Sequence, residues 1–156
     1  MKGNICNMGM TAMAKKIKEV HPNFLILYKT GAFYKSFGKD AYLLSSIFDY
    51  NIKFIEQNIA TCGFPLNSII KVRSKLEEKN INYMLIDQRN NYDIDISEDF
   101  RNLNKYEDEF KKAYTKVKHK KMISRIVEEL MLIIDKPYFK DTIRKVEDII
   151  DENGEI

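Results

Sequence analysis

Cysteine and histidine are scarce in this sequence: the 156 residues hold two of each, Cys6 and Cys62, His21 and His119. Two thiols cannot build a disulfide framework, nor a four-ligand zinc site by themselves. So few histidines argue against most metal and histidine-base chemistry. No run approaches the ~18 consecutive apolar residues of a membrane-crossing helix. The opening MKGNICNMGMTAMAKKIKEV has no apolar core, so no secretory leader is expected. These absences point to a protein of the reducing cytosol, with no cofactor, no metal and no membrane.

What the chain does hold is apolar residues, at 44%, and charge, at 31%, in amounts that suit a folded domain with a real core. Its length suits one domain, or one domain with an appendage. The net charge of +3 hides an asymmetry: residues 1–92 carry 13 basic and 7 acidic groups, residues 93–156 carry 13 and 16. The N-terminal part is therefore the better candidate for meeting a polyanion. A second candidate is the acid-free run Lys111, Lys112, Lys116, Lys118, Lys120, Lys121 and Arg125, which also reads as a solvated helix face.

Local pattern predicts a mixed sheet with flanking helices, an α/β (α+β) fold, over residues 1–103, and a helical extension over 104–156. Residues 11–20 suit a helix capped by Thr11 and ended by His21-Pro22, because the residue before proline avoids the α region. Residues 23–29 read as a buried strand broken by Gly31, and 38–49 as a helix with Asp40 favoured in its first turn by the helix dipole. Residues 51–62 read as a hairpin turning at Gln57-Asn58. Residues 67–79 read as a helix capped by Asn67 or Ser68, and 82–88 and 92–97 as strands. Beyond Asn104, Tyr106, Phe110, Ala113, Tyr114 and Val117 keep helical spacing, as do Ile123, Ile126, Val127, Leu130 and Ile134. A restart at Pro137 is followed by the stripe Phe139, Ile143, Val146, Ile150.

The chemistry concentrates between residues 24 and 49. An apolar strand runs into Gly31-Ala32-Phe33-Tyr34-Lys35, so Phe33 and Tyr34 sit on a corner beside Lys29 and Lys35. An aromatic ring on a cationic corner can stack on a base while lysines hold phosphates, or wedge into a base step. The competing reading makes Phe33 an ordinary core residue. Asp87, Asp93 and Asp95 are the one carboxylate group worth weighing for metal-dependent nuclease chemistry, and a solvent-facing strand explains them as well. Cys62 reads as a small buried residue whose thiol lacks an activator.

The segment His21-Pro22-Asn23-Phe24 through Lys39-Asp40-Ala41 resembles the N-terminal mismatch-recognition domain of the MutS family, with its H-P-D, apolar strand, R-M-G-D-F-Y-E-x-F and x-D-A. Cys62-Gly63-Phe64-Pro65 is similar to the family's A-G-V-P, and residues 67–88 to the helix, strand and terminal E-Q that follow it. The resemblance covers about residues 10–95. It implies that Phe33 stands where the family's phenylalanine wedges into the duplex and stacks on the mispaired base. The glutamate of F-x-E is replaced by Lys35 and the aspartate before the phenylalanine by Ala32. Together these move the local charge by +3 relative to the family pattern. A carboxylate accepts from a base and repels phosphates, whereas an ammonium only donates and attracts them. Binding is then expected to lean on backbone charge and stacking, with weaker mismatch selection. The chain has no G-x-x-x-x-G-K-[ST], so it is expected to be a stand-alone recognition domain and not a complete mismatch-repair ATPase.

The resulting expectation is a non-enzymatic module for double-stranded DNA, mismatched or distorted, using Phe33, Tyr34, Lys29, Lys35, Asn67 and Arg73. The alternative from another class is a protein-interaction or regulatory module that kept the fold and lost the DNA site, with a second copy or a protein partner on the 104–150 helices. RNA in place of DNA is a third, because stacking and phosphate contacts do not read the sugar.

Overall fold

The computed structural model describes residues 9–154. Six strands form one mixed sheet in the order β3-β4-β2-β1-β5-β6. They are β1 (Leu25–Thr30), β2 (Phe33–Phe37), β3 (Ile52–Ile55), β4 (Ile59–Pro65), β5 (Tyr83–Asp87) and β6 (Asp93–Glu98). The helices are α1 (Met10–Val20), α2 (Lys39–Phe48), α3 (Ile69–Glu78), α4 (Lys105–Leu132) and α5 (Phe139–Gly154). Among the described residues, no helix is long and apolar enough to cross a membrane.

The centre of the sheet is the parallel pair β1·β5, and every other pairing is antiparallel. Both central strands are apolar at consecutive positions because both of their faces are covered. On one face Leu25, Leu27, Tyr83 and Leu85 join Tyr34, Cys62 and Phe64 under α2 and α3, with Tyr106 and Ala113 of α4 completing the core. On the other face Ile26, Tyr28, Met84 and Ile86 meet Ala14 and Ile17 of α1. Among the described residues a single helix packs on that second face, over β1 and β5, with Phe37 of β2 at the edge of the cluster.

Two compact units divide the chain, Met1–Val117 and Lys118–Ile156. The first takes in the sheet, α1 to α3 and the start of α4. The second holds the rest of α4 and all of α5, and none of its described residues is buried.

Asp40 binds three elements of the first unit together. Buried at the start of α2, its carboxylate accepts from Lys18 Nζ of α1 at 2.7 Å, from the Tyr106 hydroxyl of α4 and from the Ile26 amide of β1 at 3.2 Å. Burial pushes this carboxyl up and the Lys18 ammonium down, each opposed by the other's charge. Asp40 stands in the first turn of α2, as expected, and these three bonds come in addition.

Several local expectations are corrected. Residues 33–37 are not a corner leaving a strand but a strand themselves. Its alternation is disguised because one of its two buried residues is polar: Ser36 lies beside Tyr34 on the covered face, donating its hydroxyl to the Cys62 carbonyl at 3.3 Å, while Phe33 and Lys35 face out. Thr11 does not cap α1: the cap position is Gly9 and no side chain bonds there. Ser68, one of the two residues expected to cap α3, does hold the cap position, but no side chain bonds there, and a 3₁₀ turn, Leu66–Ser68, leads into the helix. The turn between β3 and β4 does use Gln57 and Asn58, both at positive φ, 57° and 60°.

Candidate nucleic-acid interface

The strand β2 is launched by a two-residue turn, Gly31-Ala32, with Thr30 paired to Phe33. Gly31 sits at φ 59°, a left-handed value that a side chain would strain. On its other side β2 pairs with β4, which places Phe33 opposite Pro65 and Lys35 opposite Gly63. The Leu66 amide donates to the Ala32 carbonyl at 3.1 Å, tying the start of β2 to the end of β4.

Successive side chains of a strand point to opposite faces. Phe33, Lys35 and Phe37 share the face of Tyr28, the α1 side, and Tyr34 and Ser36 share the other. Because α1 lies over β1 and β5, no described element covers the wing built by β2, β4 and β3 on this side. Phe33 is 48% exposed there, with Lys35, Gly63 and Pro65 also exposed. The register carries Lys53 (opposite Thr61) and Ile55 (opposite Ile59) onto the same wing. Phe33, Lys35, Phe37, Ile59, Thr61, Gly63, Pro65, Lys53 and Ile55 are the strand positions of that face, and none is acidic.

Gly63 is required at the middle of the wing. A Cβ at this position would come within 2.9 Å of the Tyr34 carbonyl oxygen and 3.3 Å of Lys35 Cγ. The missing side chain lets the stem of Lys35 lie across β4 and leaves backbone accessible beside it.

Of the six residues expected at the site, the wing gathers Phe33 and Lys35. Asn67 is exposed in the turn two residues beyond Pro65, where its Oδ1 accepts from Ser68 Oγ at 3.5 Å. The other three are elsewhere. Tyr34 is 7% exposed, stacked on Phe64 with ring centroids 5.6 Å apart, so it holds the sheet in place and offers no face to a base. Lys29 pairs in register with Tyr34, which puts it on the face opposite Phe33, and its ammonium lies 3.7 Å from an Asp87 carboxylate oxygen. Arg73 also lies on the α3 side: its Nε–H donates to the Tyr83 hydroxyl at 3.0 Å, which in turn donates to Glu77 at 2.6 Å. That bond to Tyr83 raises the Arg73 pKa further.

Two members of the wing, Lys53 and Pro65, were not anticipated. The alternation of Ile52 and Phe54 marks the intervening Lys53 as lying on the opposite face, but only the register through β4 brings it beside β2. Elsewhere in the sheet, Asp93 and Asp95 are exposed on β6, the far edge strand, and Asp87 is engaged by Lys29 and by the Arg89 amide at 2.8 Å. Among the described residues no cluster of three or more His, Cys, Asp or Glu can hold a metal ion. Cys62 is buried on the side away from the wing, and burial pushes its thiol up to about 12.

The family described as MutS domain I matches residues 8–131 of this chain. The match passes beyond residues 10–95, where the motif resemblance lies, and takes in most of α4. Among similar proteins, the DNA mismatch repair protein MutS of Rickettsia rickettsii (strain Sheila Smith) is 34% identical over 76 residues, covering 46% of this chain and 9% of that protein. That of Rickettsia akari (strain Hartford) is 32% identical over 94 residues, covering 58% of this chain and 10% of that protein. The matched stretch is thus about a tenth of the length of these relatives.

Proposed function

The chain belongs to the MutS domain I family, and from that premise we propose that it is a non-enzymatic, cytoplasmic DNA-binding module acting through the open wing of its sheet. The observation that carries this reading is an exposed phenylalanine at the rim of an uncovered, acid-free sheet surface that also presents two lysines. The ring of Phe33 stacks on or wedges beside a base where the duplex is distorted, since an unpaired or mispaired base is cheaper to unstack. Lys35 and Lys53 meet phosphates, and Asn67 donates to the backbone from the end of β4. Where the family has a glutamate, Lys35 has no acceptor for a base edge. Affinity then comes from charge and stacking, and discrimination between mispaired and paired DNA is shallow. The α/β part from residues 1–103 is the binding element in this reading, and the helices from 104 onward serve association.

Titrations of matched, mismatched and single-stranded DNA test it. Phe33→Ala is expected to lose about 1–3 kcal/mol on a mismatched duplex, the range of one base–aromatic stack. Lys53→Ala is expected to flatten the slope of log K against log salt by about 0.9, one phosphate contact. Lys35→Glu is expected to weaken binding overall and raise the ratio of mismatched to matched affinity. Equal affinity of the wild type and Phe33→Ala for the mismatched duplex contradicts the reading. A second reading, an association module, is favoured by the exposed apolar stripe of residues 122–134.

A further inference from the structure

The unit Lys118–Ile156 is helical, and none of its described residues is buried. On the part of α4 it contains, Met122, Ile123, Ile126, Val127 and Met131 are all exposed, as is Ile134 just past the helix. Their spacing of three and four places them, with Leu130, on one broad face. A solvated helix face of this kind is a marginal structure in water, because most helix stability in proteins comes from burying such a stripe.

Charge along the same segment is polarised. Lys116, Lys118, Lys120, Lys121 and Arg125 precede the middle of the stripe with no acid among them, and Glu128, Glu129 and Asp135 follow it with no base. Packed helices sit 8–10 Å apart, about one screening length at physiological salt, so the sign of the facing charges still matters. A parallel pairing of two copies sets cationic half against cationic half. An antiparallel pairing about an axis between Ile126 and Val127 sets each cationic half along the other copy's anionic half. It also brings Ile123 opposite Leu130 of the second copy and Met122 opposite Met131 of the second copy.

We propose that α4 residues 119–134 form a two-fold, antiparallel interface with the same segment of a second copy of this chain. The occupant is a second copy because the segment is complementary to itself in both charge and apolar pattern, as a closed two-fold contact demands. The inference stands apart from the DNA reading, since it is measured without nucleic acid.

Sizing with light scattering on the full chain, carried into the high micromolar range, is expected to show a concentration-dependent dimer. Ile126→Glu, at a solvent-exposed position that leaves helix content intact, is expected to raise the dissociation constant by about tenfold or more. In a Cys6→Ser background, Met122→Cys and Met131→Cys chains mixed and oxidised are expected to cross-link to one another and not to themselves. A monomer at every concentration, an unaltered dimer in Ile126→Glu, or cross-linking of each cysteine variant to itself would overturn the proposal.

Discussion

Phe33 and Tyr34 are consecutive rings in opposite surroundings. The pleat turns one toward open solvent beside Pro65 and the other into the core against Phe64. The same alternation separates Lys35, which joins Phe33, from Lys29, which joins Tyr34 and Asp87. Phe33 and Lys35, singled out by motif position, fall together on one face. Tyr34, Lys29 and Arg73 fall on the other face, which sequence does not reveal, because it says neither which face a residue takes nor which polar partner already holds it. Asp40 stands in the first turn of α2 as expected, but its partners, from residues 18, 26 and 106, lie far apart in the chain and could not be read from it. Asp40→Ala removes the anionic partner of Lys18, which keeps its bond to the Phe24 carbonyl, and takes the acceptor from the Tyr106 hydroxyl and the Ile26 amide. It is expected to cost about 3 kcal/mol or more, read from urea unfolding midpoints. A loss below about 1 kcal/mol would mean that the cluster is incidental to the fold.

At the scale of elements, the strands and helices that bury one long apolar set were readable from periodicity: β1, β5, α2, α3 and the β3–β4 hairpin. The strand β2 was not, because an aromatic, Phe33, is among its exposed residues and a serine, Ser36, is among its buried ones. Of the helix ends, His21 closes α1 and Ser68 opens α3 as expected, but the side-chain cap bonds do not form, and Gly9 stands at the start of α1 in place of Thr11. Packing of β4 and β5 has a consequence in alkali. Burial raises the Cys62 thiol from 9.0 to about 12 in the fold, and the Tyr83 hydroxyl from 10.0 to about 12. Groups whose pKa is raised on folding contribute stability that is fully present below the unfolded value and lost as pH climbs toward the folded one. Stability from these two groups is therefore flat below pH ~9 and falls above it. In a Cys6→Ser background, a thiol reagent at pH 8 is expected to label folded Cys62 far more slowly than the urea-unfolded chain. Equal rates would show that the thiol is not shielded by β4.

At the scale of the whole molecule, one side of the sheet is closed by α2, α3 and the start of α4, while α1 closes only half of the other. The open half is where Phe33, Lys35 and Lys53 collect, and its existence could not be read from the chain, because coverage is a property of how many helices pack on each face. The family membership was legible in ordered short motifs between residues 21 and 88; its reach to residue 131 was not, because the later helices carry only generic periodicity. The account depends on the ring of Phe33 meeting a nucleobase. The most direct measurement places 2-aminopurine at the mispaired position of a duplex and follows its emission as protein is added. The wild type is predicted to change that emission on binding, and Phe33→Ala, added until the duplex is saturated, is predicted to leave it near that of free DNA. The same emission change with both proteins would contradict the account.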